Sequence, residues 1–305
     1  MSKVFASSRA TARWPGAMLS VLMGFLAIDC AYAIDPTAAA RGLRAMHGAL
    51  SAQLHDNQFG RAVHLASRDT TRALTGEIYV ALDYPFATVS EALSGPENWC
   101  DILTLHINVK YCLASAAAAS TVLTVDLGKK YDQPLADAFR IAFSYAKRAA
   151  TPDYFAIELV AEFGPLSTRD YHIELEAIPI DDGQTFLHFT YAYAFGVGGR
   201  LAMHGYLATV ARDKHGFTVS GQTSDGAPDY IQGIRGVIER NTMRYYLAID
   251  AYLASMSVAP TLRFEQRLRY WFDSTERYAF QLHEMDRDQY VAMKHRELAR
   301  QMVTP

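Results

Sequence analysis

"GPLSTRDYHIELEAIPIDDGQTFLHFTYAYAFG", residues 164–196, alternates apolar and polar side chains twice, on either side of Asp181-Asp182-Gly183. Tyr171, Ile173 and Leu175 share one phase against Asp170, His172, Glu174 and Glu176, and Leu187, Phe189, Tyr191, Tyr193 and Phe195 share one phase of the second run. A period of two marks a strand with one face toward water and the other against something apolar. The "DDGQ" between the runs is a hairpin signal. The register is firm, because a slip of one residue buries Glu174 and Glu176, and an unpaired buried carboxylate costs more than a single hydrophobic contact returns.

The same period recurs upstream. "LTLHINVKYCL" (103–113) places Leu103, Leu105, Ile107, Val109, Tyr111 and Leu113 in one phase, with His106, Lys110 and Cys112 in the other. "AFRIAFSYAK" (138–147) aligns Phe139, Ile141, Phe143 and Tyr145; "YFAIELVAEF" (154–163) aligns Phe155, Ile157, Leu159 and Phe163. "RAVHLASRD" (61–69) and "TGEIYVALDYP" (75–85) also alternate, and "PFATVSEALSGPENW" (85–99) reads as one short amphipathic helix closed at Gly95-Pro96. Consecutive strands joined by short turns make an antiparallel meander.

After "SDGAPDY" the period becomes 3.6. Residues 231–256 carry Ile234, Val237 or Ile238, Met243, Tyr246, Leu247, Ile249 and Leu253 in a broad helical stripe, the natural cover for the apolar face of the sheet. A sheet closed by one long helix is an α+β arrangement. A helix is expected over 37–54. Beyond the break at Pro260, two more are expected, at 261–275 and after Asp286, which has Gln289 three residues on.

The first 33 residues read as a cleavable signal peptide: Lys3, Arg9 and Arg13, then the apolar run 17–28, then "AYA" at 31–33. The chain is accordingly expected to be exported, periplasmic or secreted. Cleavage after Ala33 leaves 26 Lys+Arg against 31 Asp+Glu. This acidic balance argues against a dedicated nucleic-acid binder. Cleavage also removes Cys30 and leaves Cys100 and Cys112, expected to form a disulfide in an oxidising compartment, or else to stand as two thiols.

Three stretches, in this order, resemble the helix-grip fold of the START (steroidogenic-acute-regulatory-related lipid-transfer) superfamily. They are "ALDYPFATVSEALSGPENWCDIL", "GPLSTRDYHIELEA" with Arg169, Asp170 and Tyr171, and "GVIERNTMRYYLAIDAYL". The resemblance covers residues 60–257 and implies a curved antiparallel sheet wrapped around a long C-terminal helix, with a hydrophobic pocket between them. Residues 34–59 then form an N-terminal helical segment and 258–305 a helical extension outside the usual core. The implied occupant is a lipid or other hydrophobic small molecule, with transient membrane contact, and no cofactor is implied.

The expected pocket lining is Arg169, Tyr171, Tyr145, Phe189, Tyr191, Tyr193, Tyr246 and Asp250. A tyrosine joins an apolar body to a polar tip, which suits an amphipathic ligand. Arg169 can meet a carboxylate or phosphate, or simply pair with Asp170. Asp250 is the best candidate for an acid–base enzyme of the polyketide cyclase/dehydratase kind. A third reading is an envelope interaction module that docks a partner through Trp271 and Phe272. The ten histidines form no HxxxH metal pair, no GxSxG elbow is present, and "GVGGR" (196–200) reads as a turn. By phase, His106 and His172 fall on the solvent side, and His188 faces outward or toward the N-terminal helix.

Overall fold

The structure, a computed structural model, describes residues 34–303 apart from 72, 118–119, 182, 197–198, 200–204 and 206–213. The expected signal peptide and most of the expected turn at 196–200 lie outside the described residues. In chain order the elements are α1 (Pro36–Ala49), α2 (Ser51–His55), β1 (Val63–Asp69), β2 (Ala73–Leu82), α3 (Phe86–Leu93), α4 (Pro96–Leu103), β3 (Val109–Ala117) and β4 (Ser120–Leu127). There follow β5 (Phe139–Thr151), β6 (Tyr154–Phe163), β7 (Thr168–Pro179), β8 (Thr185–Phe195), β9 (Val219–Gln222) and β10 (Pro228–Tyr230). The chain ends with α5 (Gly233–Ala254), α6 (Arg263–Glu276), α7 (Ala279–Leu282) and α8 (Arg287–Val303).

Eight strands form one sheet in the order β1-β2-β8-β7-β6-β5-β4-β3, every pair antiparallel. β3 to β8 is a continuous meander, and β2 pairs with its last strand, so α3 and α4 carry the chain from one side of the sheet to the far edge. The hairpin of β7 and β8 has the register its alternation demands. Ile173 faces Tyr191 and Leu175 faces Phe189 across the pair, all buried, while Glu174 and Glu176 point to the other face.

That outer face is not bare. Ala40 and Leu43 of α1 and Leu54 of α2 pack on Tyr79, Ala156, Ile178 and Phe186. Asp35 caps α1 by accepting from the Thr37 amide at 3.0 Å, with Pro36 at the first helical position. Beside this layer His188 sits between Glu176 at 3.2 Å and Glu77 at 3.4 Å. Burial disfavours the imidazolium, but the two carboxylates outweigh it and push His188 up to about 9. Glu77 and Glu176 are therefore partnered, whereas burial and the neighbouring Glu176 push the Glu174 carboxyl up.

α5 has 22 residues, a rod of about 33 Å. It rests on β1, β2, β8 and α4. The closest approach is at Gly76 of β2, where an added Cβ would stand 2.1 Å from Thr242 Oγ1. A side chain there would lift the helix off the sheet. α5 is buried nearly all round, because α6 covers the flank turned away from the sheet. Trp271 of α6 donates to the Arg244 carbonyl at 3.1 Å, and Tyr290 of α8 stacks on Trp271 and donates to the Leu105 carbonyl at 2.8 Å. Trp271 and Phe272, the residues that a docking tail would need exposed, are buried within the chain. The arrangement is a helix-grip α+β fold with added N- and C-terminal helices.

Two expectations need correction. Gly95-Pro96 closes α3 as expected, but residues 96–99 are not its tail: Pro96 stands at the first position of a second helix, α4, where its missing N–H costs nothing. The strand expected from Leu103 begins only at Val109, because Trp99, Ile102 and Leu103 are buried at helical spacing. His106 thereby falls in a turn and is buried, not on a solvent face.

Cys100 of α4 and Cys112 of β3 are joined as a disulfide, with Cα atoms 5.2 Å apart and 12 residues of separation. Replacing both with serine is expected to lower the unfolding free energy by about 3 kcal/mol, the loop-entropy value for so short a ring. Urea denaturation of the two proteins measures it. Equal midpoints would show that the ring constrains nothing.

Candidate functional site

A cavity of about 960 Å³ lies where α5 diverges from the sheet, over the ends of β4, β5 and β7. β7 and β8 supply Tyr171, Tyr191 and Tyr193, and α5 supplies Val237, Asn241 and Tyr245 at a spacing of four residues, one stripe of the helix. The rings pack on one another: Tyr171 to Tyr193 at 5.3 Å, Tyr191 to Tyr193 at 5.7 Å and Tyr191 to Tyr245 at 5.2 Å between centroids. The Tyr171 hydroxyl is satisfied by Thr168 Oγ1 at 2.7 Å. The hydroxyls of Tyr191, Tyr193 and Tyr245 meet no hydrogen-bonding partner among the described residues. Burial pushes all four phenols up, Tyr171 to about 12, so they stay protonated and serve as neutral donors and acceptors.

His106 also lines the cavity, stacked on Tyr245 at 4.8 Å between ring centroids. Its Nδ1 accepts from the Asn108 amide at 3.2 Å, which leaves the proton of the neutral ring on Nε2. Nε2 is buried and has no partner among the described residues. Burial, with Arg244 and Lys294 nearby, holds His106 well below the ordinary histidine range.

The remaining wall is charged. Glu284, in the link between α7 and α8, accepts from Lys130 at 2.6 Å, Arg244 at 2.9 Å, Lys214 at 3.1 Å, and Arg240. Burial works against its ionisation, but Arg244, Lys130 and Arg240 together hold it down at about 2. Lys129, Asp137 and the exposed side chains of Tyr131, Phe139 and Leu166 complete the rim.

Of the residues expected to line the pocket, the structure brings Tyr171, Tyr191 and Tyr193 together there. Phe189 is buried behind them, its ring 6.3 Å from Tyr245. Four others do not line this cavity. Arg169 is exposed and pairs with Asp170 at 3.5 Å. A bulge accounts for it: the β7 register shifts between Arg169 and His172, with Asp170 at φ +52°. The extra residue puts Thr168, not Arg169, on the face of Tyr171. Tyr145 donates to the Ser94 carbonyl at 2.7 Å, beside α3. Asp250 turns to the other side of α5, where Arg61 at 2.9 Å and the Tyr270 hydroxyl at 3.1 Å hold it. The Arg61 guanidinium also lies over Tyr246, 5.4 Å from the ring centroid. Tyr245, His106, Asn241, Lys130, Lys214 and Glu284 were not anticipated. Among the described residues no group of three or more His, Cys, Asp or Glu is placed to hold a metal ion, and no helix is long and apolar enough to cross a membrane.

Glu284 is a weak base, and the phenols and the neutral imidazole of the cavity keep their protonation states around neutral pH.

No model of a known protein family matches the chain, and no curated protein matches it. Solved structures similar to it include a norcoclaurine synthase point mutant from Thalictrum flavum in complex with a transition-state analogue, at 10% identity and TM-score 0.34, covering 47% of this chain and 93% of that one. Human StAR-related lipid transfer protein 5 is similar at 9% identity and TM-score 0.30, covering 58% and 90%. The Zhui aromatase/cyclase from Streptomyces sp. R1128 is similar at 11% identity and TM-score 0.31, covering 68% and 96%. At these identities and scores the likeness carries no inference about activity.

Proposed function

We propose that this chain is an exported START-like protein that binds, as a carrier does, a lipid or other hydrophobic molecule in the cavity beneath α5. The observation that carries the reading is an open-mouthed cavity of about 960 Å³ walled by four tyrosines, three of whose hydroxyls have no protein partner among the described residues. That volume suits a small-molecule site, and mostly apolar walls with a few aimed polar groups are the usual lining of one. Export is supported by the N-terminal sequence pattern and by the disulfide. Among the described residues the carboxylates on the lining are Glu284, held by four cations, and Asp137 at the rim, an arrangement that favours binding over a cyclase/dehydratase. Transient membrane contact fits the exposed Tyr131, Phe139 and Leu166 at the rim.

Native mass spectrometry of the protein purified from its exporting host tests this. The wild type is expected to carry a bound small molecule that organic extraction releases. Asn241→Trp, which fills the cavity from α5, is expected to lose it while keeping the wild-type melting temperature within a few degrees. A wild type that carries no ligand and takes up no apolar probe would count against the proposal.

A further inference from the structure

Two pairs of lysines in this chain are bonded to a shared buried glutamate, and the pairs differ in one respect. An ammonium group has three N–H donors. Lys294 spends them on the His106 carbonyl at 2.8 Å, the Val109 carbonyl at 3.0 Å and Glu297 at 2.8 Å. Lys110 spends them on the Ile107 carbonyl at 2.9 Å, Met293 Sδ at 3.4 Å and Glu297 at 2.8 Å. These two are structural, and saturated. Lys130 and Lys214 each make one hydrogen bond among the described residues, to Glu284. Both line the cavity.

Glu284 has little left to offer them. Its Oε1 already accepts from Lys130, Arg240 and Arg244, and Oε2 from Lys214. Among the described residues Lys130 and Lys214 therefore share one carboxylate with two arginines. Burial pushes Lys130 down to about 8, with Arg244 and Arg240 adding to the effect and Glu284 only partly opposing it. A second cavity, of about 620 Å³, shares Lys130, Tyr131 and Glu284 with the first, so there is room for a group where the two meet.

We propose that the ligand of this cavity is amphipathic and anionic, its carboxylate, sulfonate or phosphate held between Lys130 and Lys214 and its apolar body against Tyr171, Tyr191, Tyr193 and Tyr245. This rests on the cavity being the ligand site. An anion there takes up N–H donors of Lys130 and Lys214 that Glu284 leaves unused, without displacing Glu284. A neutral ligand of the same shape forgoes the two lysine contacts.

A matched pair of fluorescent probes tests it: 1-anilinonaphthalene-8-sulfonate and N-phenyl-1-naphthylamine, which differ by the sulfonate alone. Both are titrated into wild type and into the Lys130→Gln/Lys214→Gln double variant at low ionic strength. The double variant is expected to bind the sulfonate at least tenfold more weakly and the neutral probe within twofold of wild type. Added salt is expected to weaken only the sulfonate, and only in wild type. Lys214→Gln alone, at a partly exposed position, is expected to give part of the loss with an unchanged melting temperature. If the neutral probe binds, Asn241→Trp abolishes that binding, and sulfonate affinity is the same in wild type and double variant, the anion proposal is overturned and the cavity reading stands. If neither probe binds wild type, or Asn241→Trp affects neither, the cavity reading itself fails.

Discussion

Replacing Glu284 with glutamine is expected to lower the free energy of unfolding by about 3–5 kcal/mol, the range for removing one partner from a buried ionic group. The substitution keeps the shape and changes the charge. In the wild type Arg240, Arg244, Lys130 and Lys214 converge on this one carboxylate, whose side chain is 9% exposed. In the variant they face one another across an amide that accepts at only one of its two ends. Arg244 retains its bond to the Leu282 carbonyl at 3.0 Å, so the change is concentrated in the charge cluster. The pH dependence has a definite sign. Glu284 is held at about 2 in the folded chain, below the value of about 4.3 for an unperturbed glutamate. Its contribution is therefore complete above the unfolded value and is lost as pH falls through the folded one. The gap between wild type and Glu284→Gln in urea midpoint should be widest near neutral pH and close progressively toward pH 2. Coincident midpoints near neutral pH would show that the cluster contributes nothing as a unit.

How far the fold could be read in advance depended on whether its signal was local. The β7–β8 hairpin and α5 were legible because alternation and helical periodicity are each carried by consecutive residues. Leu103 to Ile107 misled because Trp99, Ile102 and Leu103 form a helical face whose last member also begins an alternating run. β4, "STVLTVDL", follows the alanine run and has the same period-two pattern, with Leu123 and Val125 buried, yet it is not among the strands expected from the sequence.

The site was less legible than the fold for three reasons. The bulge at Asp170 reverses the phase of Arg169, and an aspartate at φ +52° carries no glycine to announce it. Tyr245 and Tyr246 are neighbours about 100° apart around the helix, and rotation decides which meets the cavity. That rotation is tied to a contact 166 residues apart in sequence, Thr242 on Gly76. Lys130, Lys214 and Glu284 lie in three separate connecting segments, so no local pattern could join them.

A chain ending at Ala259 is expected not to fold at all, although every strand of the sheet and the whole of α5 remain. The residues removed include Leu268, Trp271, Phe272, Leu282, Tyr290 and Met293, all buried in the same core as the sheet. Each such side chain contributes roughly 1.5–3 kcal/mol by burial, and six of them match or exceed the roughly 5–15 kcal/mol by which a domain is stable. The electrostatic loss runs the same way. Without Glu284 and Glu297, the buried Arg240, Arg244 and Lys110 lose the carboxylates that face them, while the flank of α5 that α6 covered is opened to water. Far- and near-ultraviolet circular dichroism of the truncated chain, beside the full one, is the measurement. Near-ultraviolet bands of native intensity, with uptake of N-phenyl-1-naphthylamine intact, would make residues 260–303 an accessory to a self-sufficient grip domain. Loss of both would make the last three helices part of what holds α5 over its cavity, and the ligand site would then depend on the extension for its walls as well as its charge.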